Sequence, residues 1–193
     1  MSVNLAKGQR ISLTKSGGGE LTVIRMGLGW KSAPRKGFFA RMTAREIDLD
    51  ATALLFAGQQ AVDVVYFQHL ISDDGSVRHT GDNRVGGAGQ GGDDESIVVD
   101  LQRVPVHVDQ IVFTVNSFTG QTFEEVENAF CRLVDETNGQ ELARHTLTGG
   151  GRHTAQIMAK VYRSDTGWQM AAIGSPAEGR TFQDLIPALA PHL

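Results

Sequence analysis

The chain has 193 residues and a formal net charge of −4, with 40% apolar and 21% charged residues. This composition is typical of a soluble globular protein and excludes a disordered chain. The lysines and arginines are scattered rather than grouped into a basic stripe, which argues against a nucleic-acid partner. We therefore expect one folded domain, residues 1–193, that does not bind DNA or RNA.

The compartment is predicted from cysteine usage and from the apolar runs. Cys131 is the only cysteine, so no internal disulfide can form, and its apolar surroundings indicate a buried thiol in a reducing compartment. The amino-terminal stretch MSVNLAKGQRISL alternates between apolar and polar residues and does not resemble a signal peptide. No segment is long and apolar enough to span a bilayer. These features predict a cytoplasmic protein without membrane insertion.

Apolar residues with a period of two predict that strands dominate the chain. Turn sequences separate the strands at spacings that suit hairpins, and no alternation of strands with helices is present. The fold class we predict is mainly all-β, an antiparallel β-sandwich of two sheets with one or two short peripheral helices. The stretches with strand character are, in chain order, IDLDATALLF, VDVVYFQHL, SIVVDL, IVFTVNS and HTAQIMAKVYR.

Two short helices are predicted at the periphery. In TFEEVENAF, Thr122 and Glu125 have the spacing of a capping box, which favours a helix start. FQDLIPAL near the carboxyl end has helical character, and Pro187 is expected to limit its length. The basic segment 31–46 is predicted to be a long loop before the strand that contains IDLDATALLF.

The most unusual stretch is TGDNRVGGAGQGGDDES, residues 80–96. Six glycines between residues 81 and 92 allow the backbone to fold tightly and to direct carbonyl oxygens inward. Asp82 and Asn83 lie on one side of them, and Asp93, Asp94 and Glu95 lie on the other. Carboxylates about 7 Å apart repel one another by roughly 2 kcal/mol at an effective dielectric near 20. Folding them together requires a cation, and flexible oxygen coordination favours Ca²⁺ over Mg²⁺.

A second acidic pair, Asp48 and Asp50, lies in EIDLDATA. Two residues apart on a strand, both carboxylates are expected to point to the same side, about 7 Å from each other. They are candidates to complete the coordination shell. The alternative is that the loop is only a solvated connection and that Asp48 and Asp50 form a polar strand face.

Other kinds of site are excluded by residue type or spacing. GAGQGG, residues 87–92, matches GxGxxG but runs directly into three acidic residues that would repel a pyrophosphate. GDNRVGGA lacks the Lys and Ser/Thr of a P-loop, and the Asp48 segment lacks the Gly and Glu of an EF-hand. The histidines have no zinc-ligand spacing. No nucleophile signature is present, and we predict no catalytic residue and no enzymatic activity.

Together these stretches resemble the TerD family of bacterial tellurium-resistance and stress-response proteins. The likeness covers nearly the whole chain: MSVNLAKGQRISLTK, GLGW, IDLDATALLF, HLISDDGSVRHTGDN, DDESIVVDL, VDQIVFTV and VENAFCRLVDETNGQELARHTL. It implies a two-sheet sandwich that binds one or two Ca²⁺ ions in loops at one end. The ligands it implies, with Gln68 the weaker candidate, are Asp48, Leu49, Asp50, Gln68, Gly81, Asp82, Asn83, Gly86, Asp93, Asp94 and Glu95.

The function expected from this resemblance is non-enzymatic. Ca²⁺ would order the acidic Gly-rich loop for interaction with other stress-response proteins, with membrane-associated complexes among the candidate partners. The alternative is a metal-dependent binder of a small phosphate or cyclic-nucleotide ligand, for which Arg78 and Arg84 are the local candidates. The chain departs from the family pattern in its longer GGAGQGG stretch and at Val85 and Lys31, and the loop change puts one of two calcium sites in doubt.

Overall fold

The computed structural model describes residues 2–15, 17–32, 47–81, 92–147 and 151–193. Within these ranges the backbone is mostly extended, as the period-two sequence pattern predicts. The strands are β1 Val3–Asn4, β2 Arg10–Ser12, β3 Val23–Ser32, β4 Leu49–Ala57, β5 Gln60–Val65, β6 Val77–His79, β7 Glu95–Asp100, β8 Gln110–Ser117, β9 Val126–Asp135, β10 Gln140–Thr146, β11 Ala155–Ser164 and β12 Gly167–Ala177.

The strands form two six-stranded sheets, which confirms the predicted sandwich. The first sheet has the order β1-β10-β9-β3-β7-β6, and the second has the order β2-β12-β11-β8-β4-β5. Neighbouring strands are antiparallel except that β1 runs parallel to β10. The acidic segments of the sequence fall on different sheets, since Asp48 precedes β4 and Asp94 precedes β7.

Apolar side chains alternate between two packing environments along the second sheet. In β4, Leu49, Ala51, Ala53 and Leu55 belong to the core between the sheets. Leu54 and Phe56 instead pack on the outer face of this sheet, in a smaller apolar cluster that includes Leu189. Both faces of β4 are therefore covered, which explains why its sequence is almost continuously apolar.

The carboxyl-terminal helix is confirmed as α1, Phe182–Leu189. Thr181 and Asp184 form its capping box, and the helix runs two residues beyond Pro187 before a 3-10 turn at Ala190–His192. Its buried residues Leu185 and Leu189 lie against the outer face of the second sheet. The helix is short, as predicted, but Pro187 lies inside it and does not end it.

The helix predicted in TFEEVENAF is wrong apart from one 3-10 turn at Phe123–Glu125. The capping box between Thr122 and Glu125 does form, but β9 begins at Val126 and pairs with β3. Burial in β9 alternates over several positions, so pairing with a neighbouring strand outweighs the local helix signal. Of the described helices, none has the length and apolar character that crossing a membrane would require.

Candidate functional site

Trp30 joins the two acidic segments at one end of the sandwich. Its backbone amide donates to Oδ2 of Asp94 at 2.9 Å, and its indole Nε1 donates to the carbonyl of Ile47 at 2.9 Å. Ile47 is the residue before Asp48. A single buried tryptophan at the end of β3 therefore positions the start of β7 and the start of β4 next to each other.

Glu95 makes the direct connection between the sheets at this end. Its Oε2 accepts a hydrogen bond from the amide of Ala51 at 2.8 Å and lies 3.3 Å from Nε2 of His79. The side chains of Glu95 and His79 are both 0% exposed. A carboxylate buried to this degree needs polar partners, and the Ala51 amide is one of them.

The backbone of β4 places the Leu49 carbonyl on the same edge as Glu95. Paired residues of β4 and β5 begin at Ala53, so Leu49 and Ala51 lie beyond the end of β5. In a strand, the N–H and C=O of one residue point to one side, and residues two apart share that side. Since the Ala51 amide donates to Glu95, the Leu49 carbonyl also faces the Glu95 edge.

His79 connects Glu95 to Gly81. Its Nδ1 accepts a hydrogen bond from the backbone amide of Gly81 at 3.1 Å, and its Nε2 lies 3.3 Å from Oε2 of Glu95. Gly81 has a φ of 122°, a conformation that favours glycine. Gly81 therefore lies next to His79, the ring that faces the buried carboxylate.

Asp93 lies apart from Asp94 and Glu95, between two arginines. Its Oδ2 accepts from Nη1 of Arg25, and its Oδ1 accepts from Nε of Arg132 at 2.6 Å. The Asp93 side chain is only 6% exposed. The carboxylate thus has its charge compensated by protein cations on the outer face of the first sheet, an arrangement that a structural ion pair explains without a metal.

Two glycines of β3 make room for this segment. A Cβ atom on Gly27 would overlap the carboxyl group of Asp93, and a Cβ on Gly29 would overlap the ring of Phe130 and approach the Gly92 carbonyl to 3.0 Å. In GLGW the two glycines therefore face outward under residues 92–93, while Leu28 and Trp30 face the core.

The ion pairs continue across the first sheet to Glu141. Arg132 lies 3.3 Å from the Glu141 carboxylate, and Arg144 lies 2.7 Å from it. The hydrogen bond from Arg144 lowers the pKa of Glu141 to about 2, with further bonds from Ser2 and Arg132 acting in the same direction against the effect of burial. This network fixes the orientation of Arg132 and so of Asp93.

Asp50 and Gln68 are placed elsewhere. Asp50 follows the alternation of β4 to the outer face of the second sheet, where it lines a small cleft with Asn116, whose Nδ2 donates to Asp50 Oδ2 at 3.4 Å. Gln68 is exposed in the turn between Tyr66 and His69. Asp48 precedes β4, and its carbonyl accepts from the amide of Phe118 at 3.2 Å.

Three of the predicted ligands, Asp82, Asn83 and Gly86, lie outside the described residues, as does most of segment 31–46. Among residues 2–15, 17–32, 47–81, 92–147 and 151–193, no three His, Cys, Asp or Glu side chains are arranged to hold a metal ion. At this end of the sandwich Asp94 contacts Trp30, Glu95 contacts Ala51 and Gly81 contacts His79, and the Leu49 carbonyl faces the Glu95 edge. The assignment of these groups to a metal stays a prediction.

The sequence predictions missed the residues that hold the acidic groups in place, which are Trp30, His79, Arg25 and Arg132. In GLGW, glycine alternates with a large apolar residue. Two glycines on the outward face of a strand indicate that another part of the chain packs closely against that face. No comparable pattern identifies His79, because its partner Glu95 lies on another strand.

A family model described as the TerD domain matches residues 1–188 of this chain. The chain belongs to the TerD family. It is 42% identical to tellurium resistance protein TerZ of Serratia marcescens over 186 residues. The aligned region covers 95% of this chain and 94% of that protein. Stress response protein SCP2 of Bacillus subtilis (strain 168) is 38% identical over 199 residues, 96% of this chain and 98% of that protein.

Solved structures show the same TerD-family fold. The crystal structure of a homologue of telluride resistance protein (TerD) from Streptomyces coelicolor A3(2) superimposes with a TM-score of 0.66 at 20% identity. The superposition covers 86% of this chain and 95% of that one. The two-sheet arrangement is therefore common to proteins whose sequences have diverged widely.

Proposed function

We propose that this TerD-family chain is a non-enzymatic, cytoplasmic Ca²⁺-binding protein of the response to tellurite and chemical stress. The names of its relatives support the physiological part, since they refer to tellurium resistance and stress response. The calcium part is supported by one observation. The Glu95 carboxylate of one sheet and the Leu49 carbonyl edge of the other meet at one place.

The proposed ligands follow from this meeting point. Glu95 uses Oε2 for Ala51 and His79, and Asp94 uses Oδ2 for Trp30. The proposal assigns the carboxylates of Glu95 and Asp94 to the ion, together with the carbonyl of Leu49. The remaining ligands are drawn from Gly81, Asp82, Asn83 and Gly86. Asp48 is left out because it lies between the core residues Ile47 and Leu49 and so shares the outer face with Asp50.

Oxygen donors of this mixture suit calcium. Ca²⁺ accepts six to eight carboxylate, amide, carbonyl and water oxygens at flexible angles, whereas Mg²⁺ requires a stricter octahedron. When bound, the ion would neutralise the acidic end of the sandwich. The surface formed there would then present partner-binding groups to other stress-response proteins.

The structure argues for a smaller ligand set than the sequence suggested. Asp93 has both oxygens bonded to arginines, and Asp50 lies on the face of β4 opposite to the core. We propose that neither residue is a calcium ligand, and that Gln68 is not one either.

Calorimetric titration of the chelator-treated protein with Ca²⁺ tests this proposal. We expect saturable binding that Asp94→Asn weakens and that Asp93→Asn leaves within a few-fold. Asp165→Asn is the matched control, because Asp165 is exposed in the β11–β12 turn at the far end of the second sheet. If wild type takes up no Ca²⁺, the calcium assignment is wrong.

A thermal melt measures the same binding through stability. With micromolar affinity, millimolar Ca²⁺ would stabilise the folded state by about 4 kcal/mol through mass action. A chelator would remove this contribution from wild type. It would have a smaller effect on Asp94→Asn, and unchanged melting of all variants would contradict the proposal.

The stress role is tested separately in cells. A strain that lacks this protein should be more sensitive to tellurite, and the wild-type sequence should restore resistance. Complementation by Asp94→Asn that is weaker than by Asp165→Asn would link calcium to resistance. Equal complementation by the two variants would show that tellurite resistance does not require calcium binding.

The alternative ligand, a phosphate or cyclic nucleotide, is not favoured by an observation on the described residues. Arg78 lies on the exposed side of β6 and lines a surface groove with Arg103 and Asp100. The Glu95 carboxylate points instead between the sheets. The alternative therefore stays a prediction, and calorimetry with nucleotides in the presence of Ca²⁺ would test it.

A further inference from the structure

A cluster of basic side chains lies on the outer face of the second sheet. Ala159 and Val161 of β11 belong to the core between the sheets, so Lys160 between them points outward. Arg10 of β2 precedes Ile11, which packs against the same core, and therefore points outward as well. The strand β12 lies between β2 and β11. Lys160 and Arg10 thus project from one face of the sheet, with a single strand between them.

The strand register brings these two residues into one row. Ala171 of β12 pairs with Lys160 on one side and with Arg10 on the other. Neighbouring strands are about 4.8 Å apart, so the Cα atoms of Lys160 and Arg10 are roughly 10 Å apart. The residue between them has only a methyl group as its side chain. No bulky side chain of the row therefore separates the two basic groups.

The carboxyl-terminal turn is held against this row. Nζ of Lys160 donates to Oε1 of Gln110 at 2.9 Å and to the carbonyl of His192 at 2.6 Å. An ammonium group has three N–H donors, so one donor of Lys160 remains for another acceptor. His192 ends the 3-10 turn that follows α1. The bond from Lys160 therefore places this histidine beside the row.

The positive groups of the cluster act on one another. Burial, followed by the charges of Lys7 and Lys160, lowers the pKa of His192. Burial and the charge of Arg10 lower the pKa of Lys160, against a smaller opposite effect of Asp109. These basic side chains are therefore close enough to repel one another, and the nearby carboxylate compensates only part of their charge.

The cluster also has unused hydrogen-bond donors. Within the part of the chain that the structure describes, the side chains of Lys7, Arg10 and His192 form no hydrogen bond or ion pair. A guanidinium group carries five N–H donors. Lys7 and Arg10 are exposed, whereas Lys160 and His192 are half-buried. Positive charge and unused donors at one place are complementary to an anion with several oxygen acceptors.

We propose that a small inorganic oxyanion such as sulfate binds between Arg10 and Lys160, within the cluster formed by Lys7, Arg10, Lys160 and His192. The oxygens of the anion accept from the Arg10 guanidinium and from the remaining donor of Lys160. Its negative charge reduces the repulsion among the basic groups. Protein cations supply the attraction, so this site differs from one in which a metal ion holds a phosphate.

The oxyanion site is separate from the proposed calcium site. The row of Lys160 continues through Val112 of β8 to Leu54 of β4. Leu54 lies five residues from Leu49, a distance of about 16 Å along the strand. The oxyanion proposal therefore goes beyond the proposed calcium function and does not depend on it.

Titration with sodium sulfate in a low-salt buffer, followed by NMR of the His192 ring, tests this site. Sulfate keeps its charge near neutral pH, so a change in the titration of the ring reports on the protein. We expect saturable binding. We also expect bound sulfate to raise the pKa of His192, because a nearby negative charge favours the protonated ring. Sodium chloride at equal ionic strength corrects for screening.

Variants locate the binding. Arg10→Gln should weaken sulfate binding by about 3- to 30-fold, as expected for loss of one charge-assisted hydrogen bond at an exposed site. Ala171→Glu places a carboxylate between the two basic side chains and should weaken binding more strongly. Lys15→Gln is the matched control, because Lys15 is exposed and lies five residues beyond Arg10, and it should leave binding unchanged. Since Arg10 is exposed, its variant should fold even if Ala171→Glu does not.

Three results of the titration would overturn the proposal. They are the absence of saturable sulfate binding, an unchanged pKa of His192 at saturating sulfate, and equal weakening by Lys15→Gln and Arg10→Gln. Binding of the protein to phosphatidylglycerol vesicles without binding of free sulfate would assign the cluster to a membrane surface and would also contradict the proposal. Loss of calcium binding in Asp94→Asn with sulfate binding retained would show that the two sites are independent.

Discussion

The carboxylate of Glu95 accepts a hydrogen bond from the amide of Ala51, 2.8 Å away in the opposite sheet. The same oxygen lies 3.3 Å from Nε2 of His79. One side chain at the start of β7 therefore satisfies a backbone donor of β4 and lies beside a buried ring of β6. The closed end of the sandwich depends on this acceptor.

Glu95→Ala and Glu95→Gln should separate hydrogen bonding from charge. Alanine leaves the buried Ala51 amide without its acceptor and removes the carboxylate beside His79, and we expect a loss of about 3 kcal/mol in the free energy of unfolding. Glutamine keeps one acceptor oxygen, so its loss should be about 1 kcal/mol.

Urea denaturation of the chelator-treated protein measures both values, with Asp165→Asn as the control for charge removal. In calcium titrations, Glu95→Gln should bind more weakly than wild type because a ligand charge is lost. Equal stability of the two Glu95 variants would contradict the role of this acceptor.

Gly27→Ala should destabilise the protein by about 2 kcal/mol through overpacking. The added methyl group would overlap the Asp93 carboxyl group and displace it from Arg25 and Arg132. Gly17→Ala is the matched control, since a Cβ at Gly17 meets no atom within 4 Å. Denaturant unfolding of both variants gives the comparison.

The cause of the Gly27→Ala effect can be isolated in a double-mutant cycle. In an Asp93→Ala background the carboxyl group is gone, so Gly27→Ala should be much less destabilising there. Additive effects of the two substitutions would mean that the methyl group clashes with something other than Asp93.

The ion pairs of Glu141 predict that the free energy of unfolding depends on pH in the acidic range. Its hydrogen bond from Arg144 lowers the pKa of Glu141 from the usual 4.5 to about 2. A depressed folded-state pKa gives stability that is present above about pH 4.5 and is lost as the pH falls towards 2. Glu141→Gln should therefore be less stable than wild type at neutral pH, and the difference should shrink in this acidic range.

Unfolding in urea at a series of pH values checks this expectation. Glu178→Gln is a suitable control, because Glu178 is exposed and outside the network. A difference between wild type and Glu141→Gln that stays constant down to pH 2 would argue against the pKa assignment.

Cys131 should be unreactive in the folded protein. Burial raises the pKa of its thiol to about 12, and the thiolate is the reactive form. A thiol reagent, or tellurite itself, should therefore modify Cys131 only after unfolding. Labelling followed by mass spectrometry, with and without denaturant, measures this, and fast labelling under native conditions would contradict it.

The strands were predictable because successive side chains point alternately to the core and to the opposite face of each sheet, which gives the sequence a period of two. The start of β9 was not, since Thr122 and Glu125 satisfy a local capping box while the pairing of Val126 with Ser32 is set by a distant strand. Local sequence contains no record of that partner.

The acidic residues of the candidate site were predictable from the sequence, but the contacts that each of them makes were not. Asp93 and Asp94 are adjacent in sequence, yet one contacts arginines of β3 and β9 and the other contacts Trp30. Asp50 and Glu95 were grouped by charge, and the alternation of β4 places them on opposite sides of a sheet. Such distinctions depend on register between strands, which composition and spacing do not determine.

The first strands of the chain have a consequence for handling the protein. Val3–Asn4 pairs with the edge of one sheet and Arg10–Ser12 with the edge of the other, so a short amino-terminal segment works as a clasp across both layers. Removing this segment would expose the unpaired edges of β10 and β12, and exposed strand edges pair with other chains. Shortened versions of this protein should therefore aggregate, and fusions are better attached beyond α1.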